Sequence, residues 1–196
     1  MPAITKELLP EAQYLEQERN AEYKSEYFRG EVFAMAGATK EHNSIVASLI
    51  GELYIYTKGK TCRVYPSDLR VHNPANSLYT YPDVTVVCGK EEYLDDTLDT
   101  LLNPQIIVEV LSPATEDYDR GTKFKLYRSI PSLQNYVLVS STEQLVEVYT
   151  RNGDTWVLTT AKSLESHIHI SSINLPLALR DIYAQVALPN QAGHLA

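Results

Sequence analysis

Ile106-Ile107-Val108-Glu109-Val110-Leu111 is the most hydrophobic run of the chain, and it holds a carboxylate in its middle. Burying an unpaired carboxylate costs several kcal/mol, so a strand of this kind carries one where a cation, a metal or a proton compensates it. About two dozen residues earlier, Pro82-Asp83 opens a second apolar run that continues to Cys88. If the two segments pair antiparallel, the start of the first lies beside the end of the second, and Asp83 and Glu109 become neighbours on one sheet edge. The two carboxylates, with the Val110 backbone carbonyl between them, are hard oxygen donors suited to Mg²⁺ or Mn²⁺. Without a metal, one of the pair should hold a proton.

Downstream, Ser112-Pro113-Ala114-Thr115-Glu116-Asp117 reads as a loop and Arg120 to Arg128 as a helix ended by Pro131. Asp119, Lys123 and Tyr127 recur at four-residue intervals, which puts them on one helical face, while Lys125 points elsewhere. Lys123 is thereby the candidate cation to orient an attacking water and stabilise phosphate charge, with Tyr127 in support. Taken alone, each has a plainer reading. Pro-Asp is common where strands begin, and a lysine is an ordinary helix residue.

Upstream, Lys6 to Arg19 reads as a short helix with Leu8, Leu9, Ala12 and Leu15 on one side, followed by a strand pair from Glu22 to Met35 that turns near Arg29-Gly30. Ile45, Val46, Leu49, Ile50 and Leu53 repeat at helical spacing between Glu41 and Lys58, with Gly59 as the stop. Thr61 to Tyr65, Asp68 to His72 and Tyr79 to Cys88 read as a meander. Asn135 to Ser140 is a further strand, and Arg151-Asn152-Gly153-Asp154 signals a hairpin between Leu145 to Tyr149 and Thr155 to Thr160. A short strand near His167 to Ile170, a helix from Leu177 to Val186 and a loose tail complete the chain.

At 196 residues and 44% hydrophobic composition, the expectation is one α/β domain over residues 1–188 with a flexible tail at 189–196. Its centre would be a mixed sheet of about five strands flanked by helices, with added strands toward the C-terminus. The apolar runs are too short to cross a bilayer and the first residues lack a signal peptide's core, so a soluble cytoplasmic protein is expected. Cys62 and Cys88 lie in separate strands with no CxxC spacing, which indicates neither a disulfide framework nor a zinc site. A net charge of −8 gives no overall pull toward nucleic acid, although a local basic groove would suffice. The acidic stretch Lys90 to Asp99 lacks the glycine and spacing of a calcium loop. His167 and His169 share a strand face but have no third ligand. There is no GxSxG elbow for an acyl hydrolase, and a single Trp argues against a sugar-stacking glycosidase cleft. The 14 tyrosines against 3 phenylalanines suit half-buried strand positions, base stacking or a subunit interface.

Taken together, Pro82-Asp83, Glu109-Val110-Leu111 and Lys123 resemble the PD-(D/E)xK nuclease superfamily, in the variant whose lysine has moved from the strand to the following helix. More narrowly, the chain resembles a large bacterial family of restriction-endonuclease-like proteins over roughly residues 26–140. Gly30-Glu31, Met35-Ala36-Gly37, His42, Ser67-Asp68, Tyr81-Pro82-Asp83, Ser112-Pro113, Asp119, Tyr127 and Tyr136 carry the likeness. The resemblance implies a restriction-endonuclease-like fold, with Asp83 and Glu109 as metal ligands and Lys123 as catalytic lysine. Glu31, His42 and Asp68 would line or support the pocket. It further implies a Mg²⁺-dependent endonuclease, with Mn²⁺ as an alternative ion and DNA as substrate; cutting both strands of a duplex needs two sites, hence a homodimer. Leu111 stands where the strand lysine would be, and Asn135 where the family carries an acidic residue. The alternative is a catalytically silent nucleic-acid-binding or assembly protein that keeps the fold.

Overall fold

The computed structural model describes residues 8–35 and 37–188; the expected tail at 189–196 lies outside them. Helix α1 (Glu11–Arg19) leads into strands β1 (Ser25–Phe28) and β2 (Glu31–Ala34), helix α2 (Lys40–Thr57), β3 (Cys62–Pro66), β4 (Arg70–Asn73) and β5 (Leu78–Thr80). Next come β6 (Val84–Cys88), β7 (Thr100–Leu101), β8 (Ile106–Leu111), the short helix α3 (Glu116–Tyr118), a π-helical turn (Asp119–Lys123) and α4 (Phe124–Tyr127). The chain finishes with β9 (Asn135–Ser140), β10 (Val146–Asn152), β11 (Thr155–Ala161), β12 (His167–Ile170), β13 (Leu175–Ala178) and α5 (Leu179–Ile182).

The strands form a six-stranded sheet of order β11-β10-β9-β8-β6-β3, a five-stranded sheet of order β2-β1-β5-β4-β7, and the pair β12-β13. The larger sheet is mixed, because β8 runs parallel to β9 and antiparallel to β6. Period-two alternation divides β8 between two cores. Ile106, Val108 and Val110 pack with Ile45, Leu49 and Leu53 of α2, while Ile107 and Leu111 pack with Val71 and Leu78 of the smaller sheet and with Leu126 and Tyr127. Glu109 shares the second face, so the pleat aims its carboxylate into the space between the two sheets.

Helix α2 is anchored as its pattern requires. Thr39 caps it by accepting from the His42 N–H at 3.2 Å. Ile45, Leu49 and Leu53 are fully buried, and trimming such a residue to alanine costs about 2–5 kcal/mol. This fixes the height at which His42, in the first turn of the helix, meets Asp83 at the start of β6. At the β1-β2 turn, Arg29 and Gly30 sit at φ 47° and 91°, both in the left-handed region of a two-residue hairpin. A Cβ on Gly30 would stand 2.5 Å from Leu8 Cβ, so glycine is required there for space as well as for φ.

The structure departs from the sequence reading in five places. The expected meander is divided between two sheets: β3 pairs with β6, whereas β4 pairs with β5 and β7. The first helix begins only at Glu11, after Pro10, and buries Tyr14 and Glu18 while Leu8 stays exposed. Leu177 and Ala178 belong to β13, paired with Ile168 and His167, and only Leu179–Ile182 is helical. In the β10-β11 hairpin Asn152 pairs with Thr155, so the turn is Gly153-Asp154, one residue later than the Asn-Gly signal. Finally, Cys62 and Cys88 form a disulfide. They stand directly opposite in the β3-β6 register with Cα atoms 3.9 Å apart, a relation hidden by the strands that intervene in sequence.

Candidate active site

The β6-β8 register pairs Val84 with Val108, so the next position along the ladder sets Asp83 against Glu109. Asp83 Oδ2 accepts a 2.7 Å hydrogen bond from the Val110 N–H, which continues the ladder with a side chain just ahead of β6. The same oxygen lies 3.2 Å from His42 Nε2 at the head of α2. Because a strand residue's N–H and C=O face the same neighbour, the Val110 carbonyl is directed toward Asp83 as well.

Glu109 is 4% exposed, and its Oε1 is held by two groups from the helical segment after β8. Tyr127 Oη donates to it at 2.9 Å and Lys123 Nζ stands 2.9 Å away. Lys123 also lies 3.1 Å from Glu26 Oε1 and 3.7 Å from Asp119 Oδ1. Tyr136 Oη donates to the Asp119 carbonyl at 3.0 Å, pinning the turn that carries the lysine. That turn is π-helical, with Gly121 inside it, a local widening that often marks functional sites.

More negative charge surrounds Lys123 than one ammonium can neutralise. Burial, aided by the repulsion of Asp119, Asp83 and Glu26, outweighs the opposing pull of Lys123 and pushes the Glu109 carboxyl up to about 8. Burial also raises Asp119, against Lys123. For Lys123 burial favours the neutral amine, but Glu109, Glu26 and Asp119 together overcome this and hold the ammonium charged. The cluster therefore favours a proton on Glu109 beside a charged lysine.

The structure thus brings Asp83, Glu109, Lys123, Asp119, Tyr127 and His42 into one cluster. It does not bring Asp68 there: that side chain is 86% exposed and pairs with Lys24 at 2.8 Å. Glu31 closes the β1-β2 hairpin opposite Phe28. Two groups not anticipated from sequence complete the site. Glu26 faces Lys123, and Thr80 donates to Glu26 and lies 3.0 Å from Tyr127 Oη. The signal for Glu26 was slight, an acidic residue alternating with Tyr27 in a four-residue strand, and only the β1-β5 pairing reveals its direction.

Among the described residues, no group of three or more His, Cys, Asp and Glu side chains forms a ready-made metal cage. Asp83 and Glu109 could nevertheless hold an ion of the Mg²⁺ type, which takes one or two carboxylates and keeps several waters. The donor chemistry fits: all oxygen, with Asp83 Oδ1 and Glu109 Oε2 free of hydrogen bonds among the described residues, and a proton on Glu109 that a dication would replace.

A mixed sheet that brings two carboxylates to adjacent strand ends, with a lysine delivered from the next helix, defines a restriction-endonuclease-like α/β protein. A crystal structure of a "putative nuclease belonging to DUF820" from Anabaena variabilis ATCC 29413 superposes with a TM-score of 0.74 over 90% of this chain and 98% of that one, at 20% identity, a likeness of fold. Residues 11–180 match the family model Uma2, described as "Putative restriction endonuclease", and the chain belongs to that family. Two relatives from Synechocystis sp. (strain ATCC 27184 / PCC 6803 / Kazusa), both described as uncharacterized, are similar over most of their length. Slr1290 is 38% identical over 92% of this chain and 93% of its own. Sll1609 is 33% identical over 89% of this chain and 99% of its own.

Proposed function

We propose that this protein is a metal-dependent endonuclease that hydrolyses DNA phosphodiester bonds, using Mg²⁺ or, alternatively, Mn²⁺ held by Asp83, Glu109 and the Val110 carbonyl. The observation that carries the reading is the position of Lys123, 2.9 Å from a buried Glu109 whose register neighbour is Asp83. When bound, the ion would supply Lewis-acid polarisation of the phosphoryl oxygen and lower the pKa of a water. The side chains divide the remaining work. Lys123, kept charged by its carboxylates, stabilises negative charge that builds on the phosphate. Tyr127 fixes the rotamer of Glu109, and His42 fixes that of Asp83. Glu26 and Asp119 hold Lys123 in place while Glu109 changes partners.

The domain assignment to residues 1–188, action as a homodimer and placement in the cytoplasm belong to the same reading. The absence of a described helix long and apolar enough to cross a membrane is compatible with it. Incubating purified protein with supercoiled and single-stranded DNA in Mg²⁺, Mn²⁺ or EDTA tests the proposal. Cutting that requires the ion supports it. Tight DNA binding with no cutting under any ion favours the silent binding protein instead.

A further inference from the structure

Two aromatic rings flank the carboxylate cluster and remain exposed to solvent. Phe33 of β2 stands directly opposite Glu26 of β1 in the antiparallel register, so both side chains leave the same sheet face about 5 Å apart. Phe33 is 47% exposed although that face is the one that delivers Glu26 to Lys123. The Tyr118 ring centroid lies 6.0 Å from Lys123 Nζ, and the residue is 38% exposed. Tyr118 thus faces the lysine directly, and Phe33 is one residue removed from it through Glu26. The tyrosines of the core behave differently: Tyr14, Tyr79, Tyr127 and Tyr136 are almost fully enclosed.

Exposed aromatic rings beside a carboxylate and lysine cluster suit a ligand that offers an apolar face beside an anionic backbone. A nucleotide with an unstacked base has both. A duplex keeps its bases stacked and carries about twice the charge per unit length of a single strand, so it meets the net charge of −8 and the site carboxylates at a greater electrostatic cost. Stacking on an aromatic ring tolerates any base, because every base offers a π-face.

We infer that Phe33 and Tyr118 form a stacking platform for unpaired bases next to the scissile phosphate, which makes single-stranded or locally opened DNA the preferred substrate. This rests on the nuclease reading above for the phosphate's position. Loss of one ring weakens single-strand binding about 5- to 150-fold, the span measured for base-aromatic stacking, and leaves duplex binding nearly unchanged.

The test uses a cleavage-resistant phosphorothioate oligonucleotide carrying 2-aminopurine, as a single strand and annealed, with Mg²⁺ present. Stacking on protein changes the single-strand fluorescence, and titration of the signal yields affinity. The expected result is a single-strand preference that falls with F33A and with Y118A and is kept by Y118F, which retains the ring. Equal affinity for single strand and duplex, or a fluorescence response that survives both alanine variants, overturns the platform. Parallel digestion of an unmodified strand separates the two claims. Cutting without stacking refutes only the platform, and stacking without cutting refutes only the nuclease.

Discussion

Replacing Glu109 by Gln removes the proton-binding group at the centre of the cluster while keeping an oxygen for the Tyr127 hydroxyl. The ordinary value of the carboxyl, 4.5, applies to the unfolded chain, whereas the folded site raises it to about 8. Below pH 4.5 both states are protonated and the group contributes nothing to the balance. Between 4.5 and 8 the folded chain keeps a proton that the unfolded chain has released, so stability falls as pH rises. The loss reaches roughly 3 kcal/mol at pH 7 and levels off at up to about 5 kcal/mol above pH 8. Near this chain length, each kcal/mol moves Tm by about 2–4 °C. Urea unfolding in EDTA across pH 5 to 9 should show wild type losing stability with pH and E109Q losing less, with the variant the more stable of the two at pH 8. Asp119, also raised by burial, leaves a residual slope in both proteins. Parallel curves for wild type and E109Q would refute the argument that Glu109 holds the excess proton.

Three further outcomes follow from the same geometry. Lys123→Met strips the ammonium from among Glu109, Glu26 and Asp119 and should cost about 3–5 kcal/mol at pH 8, less at pH 5 where Glu109 is neutral, as read by urea midpoints. Asp68→Ala removes only an exposed pair with Lys24 and should change stability by less than about 0.5 kcal/mol, whereas Glu26→Ala, which strips a largely buried carboxylate from Lys123, should cost several times more in the same assay. Reducing Cys62–Cys88, which closes a separation of 26 residues, should cost roughly 3 kcal/mol in urea unfolding with and without dithiothreitol, and thiol titration should find two thiols only after reduction.

Much of the site could be read from the chain because its parts obey short-range rules. An acid in a six-residue apolar strand, a second acid at the start of another, and residues spaced by four on a helix fix Asp83, Glu109, Lys123 and Tyr127 relative to one another once antiparallel pairing is assumed. What stayed hidden depended on pairing between strands distant in sequence. The Cys62–Cys88 register needs β3 to bypass β4 and β5, and the direction of Glu26 depends on β1 joining β5. Asp68 follows Pro66-Ser67 and resembles a pocket residue in sequence, but the turn between β3 and β4 carries it to the surface beside Lys24. The apolar Leu175–Ala178 and Leu179–Ile182 segments fit helix and strand alike in composition, and only the pairing with β12 separates them.

The central claim, that the Asp83 and Glu109 carboxylates with Lys123 form a hydrolytic centre, is tested most directly by nicking of supercoiled plasmid with Mg²⁺, Mn²⁺ or EDTA. Wild type should be compared with Asp83→Ala, Glu109→Ala and Lys123→Ala, each first shown to be folded by circular dichroism. The account predicts nicking by wild type with the divalent ion, none in EDTA, and a loss of at least about 100-fold in each variant. Nicking that persists in the folded variants at the wild-type rate would contradict it.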